Sequence, residues 1–206
     1  MLFTPGLALA DRTAVSVKGS TLGLGIELDA LLPDSMSGRI GINAYDYKKK
    51  VSNNSIDYDM NLKLQTVEAM ADYYPYLGAF RMTAGLLYNH NRGDFTALPD
   101  ASGNYSINGN TYTSAQVGSL QGSMTFNRVA PYLGIGWGNP VARDKSLGLA
   151  ADVGILYQGV PTATLATTST DPGVRSSVAS EQTKFQKSVN NFRYYPVISI
   201  ALTYQW

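Results

Sequence analysis

Large apolar side chains recur at every second position in segment after segment of this chain, over runs of about ten residues, and nowhere do roughly 20 follow one another unbroken. The alternation is sharpest at the end of the sequence, where Ile198, Ile200, Leu202 and Tyr204 interleave with Val197, Ser199, Ala201, Thr203 and Gln205 before a terminal Trp206. It returns at Leu147 to Gln158, Val129 to Trp137, Phe80 to Asn89 and Leu22 to Ala30. A strand sends successive side chains to opposite faces, so each segment has one apolar face. A membrane-spanning helix is excluded by the lack of an apolar run, and a bilayer can then be crossed only by strands of a closed barrel.

The face opposite the apolar one decides between a soluble sandwich and a membrane barrel. A solvated face is rich in Lys, Glu and Thr; here it is Gly and Ala punctuated by Glu27, Asp29, Arg39, Glu68, Asp72, Arg81 and Asp152, a set that suits an enclosed lumen in which buried charges find partners. Pairing of Arg81 with Asp72 or Glu68, and of Arg39 with Glu27 or Asp29, would fill an eight-stranded barrel, whose interior is only wide enough for side chains. Glycines at other inward positions leave room for a narrow cavity. Aromatics bracket the apolar bands, with Tyr73, Phe80, Trp137 and Trp206 at one end and Tyr88, Tyr157 and Tyr194 at the other. The interval from Phe80 to Tyr88 spans roughly 20 Å of height for a tilted strand.

The expected fold is therefore an all-β, antiparallel, up-and-down transmembrane β-barrel of eight strands. Seven crossings fall at about 21–31, 37–50, 56–74, 79–96, 120–137, 146–169 and 195–206. The eighth is assigned to 12–18, with a turn near Lys18-Gly19-Ser20, because Val15 and Val17 are out of phase with Leu22 and Leu24. Lys63 and Gln65 fit poorly, since they fall on the nominal lipid side. Pro33–Ser35, Pro75–Gly78 and Asn139–Lys145 are short connections, whereas 96–123 and 170–193 are long and polar; outer-membrane barrels put short turns in the periplasm and long loops outside. In the first long loop, Asn108-Gly109 predicts a type I′ turn that sets Tyr105 opposite Tyr112. In the second, Asp171-Pro172 opens a short helix along Val174, Val178, Phe185, Val189 and Phe192, expected to cap the outer mouth.

The segments Ala130–Pro140 (APYLGIGWGNP), Asp152–Pro161 (DVGILYQGVP) and Ile200–Trp206 (IALTYQW) resemble those of small proteobacterial outer-membrane β-barrel proteins, the class that includes the OmpA transmembrane domain and OmpW. The resemblance implies the outer membrane of a Gram-negative bacterium, with the C-terminus periplasmic. It also implies that Ile198, Ile200, Leu202, Tyr204 and Trp206 form the terminal signal read by the barrel-assembly machinery. It implies no activity, because such barrels serve as anchors, channels and enzymes. Residues 1–10, MLFTPGLALA, read as a truncated signal-peptide remnant with Ala8-Leu9-Ala10 as cleavage site, and 11–206 as the barrel domain.

Chemistry is sparse. There is no cysteine, so disulfides and thiol catalysis are excluded; the net charge of +1 gives no case for nucleic acid. The one histidine, His90, lies on the outward phase with no acid and serine arranged around it, and a single histidine argues against a transition-metal site; no cofactor is expected. Lys48-Lys49-Lys50 tops a hairpin in which a turn at Ser52–Ser55 would set Lys50 against Asp57 and Lys48 against Asp59. Lys48 and Lys50, with Arg92 and Arg128, are alternatively candidates for contact with lipopolysaccharide phosphates. The leading expectation is a non-enzymatic envelope-structural or surface-interaction protein with a side-chain-filled lumen. The alternative is a narrow channel or carrier for small or apolar solutes, ahead of an envelope-lipid-modifying enzyme.

Overall fold

In the computed structural model, which describes residues 13–53, 56–76, 78–141 and 147–206, the chain closes on itself as a barrel. The proposed signal remnant and the start at Asp11 lie outside the described residues. Eight strands form the ring: β1 (Thr13–Ser20), β2 (Gly23–Leu32), β3 (Met36–Asn53), β4 (Ile56–Tyr73), β5 (Phe80–Asn89), β10 (Val129–Trp137), β11 (Leu147–Tyr157) and β13 (Tyr194–Gln205). Each is antiparallel to its neighbour, and the ring closes where Ala14 to Ser20 pair with Gln205 to Ser199. The chain is thus a transmembrane β-barrel of the expected class.

The eighth strand is present, and its turn lies slightly later than expected, at Thr21-Leu22. Two turn residues between Ser20 and Gly23, which pair, account for the phase shift of Val15 and Val17 against Leu24. Gly23 has φ 111°, a conformation that favours glycine, and leads into the strand.

Around the ring, Val17, Leu24, Ile26, Leu28, Ile40, Ile42, Leu133, Ile135, Leu149, Val153, Ile198 and Ile200 all lie more than half exposed. A continuous apolar surface of this extent is stable only against lipid. Its lower margin carries Tyr73, Trp137 and Trp206, its upper margin Tyr88, Tyr157 and Tyr194; Trp137 sits opposite Phe80, and the Tyr157 and Tyr194 rings lie 5.3 Å apart.

Above that margin the barrel strands break at one level. The breaks fall at His90-Asn91, Phe126–Arg128 and Gln158–Pro161. Three prolongations then continue as β6 (Arg92–Leu98), β9 (Leu120–Thr125) and β12 (Thr162–Thr167). With the upper halves of β3 and β4 they make a five-stranded sheet external to the membrane band, ordered β3-β4-β6-β9-β12. A hairpin of β7 (Asn104–Ile107) and β8 (Asn110–Thr113), the one-turn helix α1 (Ser114–Val117) and the long helix α2 (Pro172–Val189) complete this module. Tyr105 pairs with Tyr112, and Asn108 and Gly109 have φ 53° and 80°, as a type I′ turn requires. Asp171 caps α2, its Oδ1 accepting from Gly173 and Val174 amides. The helix ends at Val189, and Phe192, expected on its buried face, stands 60% exposed beyond it.

The module explains why Lys63 and Gln65 fit poorly as lipid-facing residues. Along β4 the outward face reads Tyr73, Ala71, Ala69 and Val67, then turns polar at Gln65, Lys63, Asn61 and Asp59. The inward face does the reverse: Asp72, Glu68 and Thr66 give way to Leu64, Leu62, Met60 and Tyr58. Strand β3 inverts at the same height, since Ala44 opposes Gln65 and Asp46 opposes Lys63. Outside the strand, lipid has been replaced by water; inside it, a polar lumen has been replaced by a second apolar core. The membrane boundary lies at Thr66.

Candidate functional site: a sealed lumen beneath an external module

The inward side chains of the barrel form two layers. In the lower layer, Arg81 is fully buried, and its Nη2 lies 2.8 Å from both carboxylate oxygens of Asp152 while its Nη1 donates to the Gly138 carbonyl. Arg39 lies 2.7 Å from Asp72, 3.5 Å from Asp152 and 3.6 Å from Glu27, and Arg81 is 3.6 Å from Asp72. Thr83 donates to Asp72 at 2.5 Å and Ser199 to Asp152 at 3.2 Å. Lys18 is 2.6 Å from Glu27 and also bonds Glu68, which accepts from Asn43 at 3.1 Å. Asp29 stands opposite Arg39 in the ladder, yet its partner is the Ser16 hydroxyl, at 2.8 Å.

The sequence-derived lumen residues Glu27, Asp29, Arg39, Glu68, Asp72, Arg81 and Asp152 are thus all buried on the inward face. Two of the paired alternatives, Arg81 with Asp72 and Arg39 with Glu27, occur. Glu68 instead takes Lys18, which the sequence reading placed in a turn. Its signal was available: with β1 running through Ser20, Lys18 shares the phase of Ser16 and Ala14 and faces inward.

Above this network Leu22, Leu87, Ala130, Tyr132, Leu156 and Val197 form an apolar layer, with Met70 and Tyr195 packed against it. This layer, and not α2, lies over the ion-pair network, and α2, expected to cap the mouth, packs instead on β12. The inward glycines at 41, 85, 134, 136 and 154 are the counterparts of large side chains, not gaps. A Cβ on Gly136 would stand 2.5 Å from Asp152 Oδ1 and 2.8 Å from Arg81 Nε, and one on Gly41 would meet both Glu27 and Glu68 at 2.8 Å. The Tyr132 ring lies over Gly134 and Gly154 in the same way. Gly136→Val is expected to destabilise the barrel by about 1–3 kcal/mol through overpacking, read as a lower urea midpoint for unfolding from lipid vesicles.

The other candidate residues lie elsewhere. His90 is exposed at the break between β5 and β6, where its amide donates to the Gln65 carbonyl; among the described residues its imidazole has no hydrogen-bond partner. Lys48 and Lys50 lie on the polar outer face of the external sheet, opposite Asn61 and Asp59. The β3–β4 hairpin therefore runs two residues longer than a turn at Ser52–Ser55 would allow, because Ser52 and Asn53 still pair, with Asp57 and Ile56. Arg92 pairs with exposed Asp94 at 2.6 Å and sits beside Lys63 in the ladder, and Arg128 is exposed at the break before β10. Ile198, Ile200, Leu202 and Tyr204 face outward on β13, and Trp206 stacks on Tyr204 with ring centroids 6.5 Å apart.

Two features of the module were not foreseen. Thr113 and Gln116 form a capping box for α1, legible as a Thr-x-x-Gln motif. Gln182 and Gln186, one helical turn apart on α2, accept from the Leu165 and Ala163 amides, and Gln186 returns a bond to the Pro161 carbonyl at 2.8 Å. The helix thereby satisfies the free edge of β12, which would otherwise present unpaired amides to another strand. Beneath it, Ala97, Tyr105, Ile107, Val117, Val174 and Val178 form the module's own core. Burial, and then the Glu181 carboxylate, raise the Tyr58 phenol above its ordinary range, so it stays protonated near neutral pH.

No protein-family model matches the sequence, and no curated protein matches it. Among solved structures, CarO2 of Acinetobacter baumannii aligns with a TM-score of 0.64 at 21% identity, over 95% of this chain and 98% of that one. CarO of the same organism aligns at 0.62 and 22% identity, over 98% of this chain and 100% of that one. A major outer membrane protein of Thermus thermophilus gives 0.45 at 14% identity, over 95% and 98%. At these identities the shared property is the fold, an eight-stranded barrel of the kind found in small outer-membrane proteins.

Proposed function

We propose that this chain is a non-enzymatic, non-conducting integral protein of the Gram-negative outer membrane whose barrel anchors a folded module at the cell surface. The observation that carries this reading is the two-layer filling of the lumen, a buried ion-pair network under an apolar layer, below a module that has its own core. A transport path would have to break pairs such as Arg81–Asp152 in a region of low dielectric, where an unpaired charge is expensive. Catalysis has no support in the surroundings of His90, and a His90-dependent mass change in lipid A would overturn that part of the proposal.

In this reading the C-terminus and the connections at 33–35 and 74–79 are periplasmic, and the module is external. The chain has no cysteine, so single-cysteine variants report topology cleanly. Thr111→Cys, exposed on β8 just past the hairpin turn, should react with a membrane-impermeant maleimide on intact cells, and Asp34→Cys only after permeabilisation. The opposite pattern would refute the orientation.

Partners follow from the same placement. Lys63, Arg92 and Arg128 flank the level at which the strands break, with Lys48 and Lys50 further along the same sheet face, and these cations would supply charge-assisted donors to lipopolysaccharide phosphates. Replacing Lys63 and Arg92 together with glutamine should reduce the stabilisation that added lipopolysaccharide confers on the purified barrel, while leaving stability in neutral lipid unchanged. Ile198, Ile200, Leu202, Tyr204 and Trp206 are assigned as the signal for the assembly machinery. Trp206→Ser should lower the amount of folded, heat-modifiable barrel in the outer membrane, and normal insertion would count against this role.

A further inference from the structure

We propose that the external module contains a binding site for a small uncharged molecule with an aromatic body and a single hydroxyl or amide group. The site is a cavity of about 470 Å³ between the inner face of the external sheet, the β7–β8 hairpin and α2. That volume lies within the range of small-molecule sites, about 300–1,000 Å³.

Its walls are Phe95, Leu120, Leu165 and Phe185, with Ile107 and Val178 behind them. Whereas Ile107, Val117 and Val174 are almost wholly buried in the module's core, Phe95, Leu120, Leu165 and Phe185 are only half-buried, and the surface they leave uncovered faces the cavity. A water-exposed module leaves such a surface open at a cost in stability, and an apolar ligand removes that cost. Phe95 and Phe185 stand edge to face with centroids 6.1 Å apart, an arrangement whose free ring surfaces suit a further aromatic ring.

The rim sets the polarity of the ligand. Glu181 and Lys184 on α2 lie 3.7 Å apart, so the opening carries paired charges and selects neither an anion nor a cation. Tyr58 also lines the cavity, and its phenol, near enough to the rim residue Glu181 to feel its charge, is available as one neutral donor and acceptor. The site lies on the inner face of the sheet above Thr66, on the water side of the boundary, and the apolar lumen layer separates it from the barrel interior. In the orientation proposed above, a ligand therefore enters from the cell exterior and not through the barrel.

The test uses the whole protein in phosphatidylcholine nanodiscs, titrated with naphthol and corrected by empty discs. A saturable component of one naphthol per chain is expected. It should weaken by about tenfold or more when the cavity is filled by Leu165→Trp, or by Ser106→Trp from the exposed hairpin strand should the first variant misfold. No saturable component above empty discs, or unchanged binding in a filled variant that retains its fold, overturns the proposal. Because the measurement uses purified protein, it stands apart from the orientation proposed above.

Discussion

Replacing Arg81 with methionine should cost about 3–5 kcal/mol of folding free energy, the largest loss expected from any single substitution in this chain. The guanidinium is wholly inaccessible, and Asp152 depends on it through both carboxylate oxygens; without it, Asp152 keeps the Ser199 hydroxyl and the more distant Arg39. Asp72 is affected less, because Arg39 remains 2.7 Å away. A second variant identifies the cause. If the loss reflects a stranded charge, Arg81→Met combined with Asp152→Asn should be less destabilised than the sum of the two single variants, by about 0.5–3 kcal/mol. Strict additivity, measured by urea unfolding in the same lipid, would show that the pair is not coupled and that Arg81 matters only for its volume.

The second large effect concerns the level at which the strands change solvent. Leu133 faces outward midway between Val129, which opposes Tyr88 of the upper girdle, and Trp137, which opposes Phe80 near the lower one. Leu133→Arg should destabilise the inserted barrel by about 2–4 kcal/mol, the penalty for arginine near the bilayer midplane. Gln121 belongs to the prolongation of the same strand beyond the break, on the sheet's polar outer face, in one row with Lys50, Asp59 and Thr96. Gln121→Arg should change stability by no more than about 0.5 kcal/mol, as expected at a solvated surface position. Equal penalties at the two sites would place both in the same medium and would erase the boundary at Thr66.

That boundary also marks how far the sequence could be read. The period-two alternation located all eight crossings because lipid on one side and a packed lumen on the other impose opposite chemistry on alternate residues. Inward phase alone identified seven lumen charges. It missed Lys18, which shares the inward phase of Ala14 and Ser16 but fell in the stretch read as a turn, because the strand runs on to Ser20 before turning at Thr21-Leu22. Periodicity reports a face and is silent on the solvent behind it. Lys63 and Gln65 therefore looked like errors on a lipid face, when they were the first residues of a water-exposed one. The β3–β4 register was misjudged for a related reason. Both strands are polar and weakly patterned near their tip, so nothing local fixes where pairing stops, and Lys50 meets Asp59 instead of Asp57. The external cavity was beyond reach altogether, since it depends on how α2 meets β12 through Gln182 and Gln186, contacts between residues far apart in the chain.

The inward glycines show the opposite case, a pattern seen correctly and open to two meanings. Glycine on a lumen face is compatible with a pore and with close packing. Tyr132, Arg81 and Glu27 decide for packing, each occupying the space beside a glycine on a neighbouring strand or on its own. Such packing supports the proposed role of the barrel as an anchor for the part of the chain that stands outside the membrane.

Planar-bilayer recording tests this most directly. The purified protein, inserted into a bilayer and held under voltage, should produce no stable unitary openings, because Arg39, Arg81 and Lys18 are paired across the lumen and the layer of Leu22, Leu87, Tyr132, Leu156 and Val197 closes it. Stable unitary openings that disappear when the lumen charges are neutralised would contradict the sealed barrel and return the chain to the class of narrow channels.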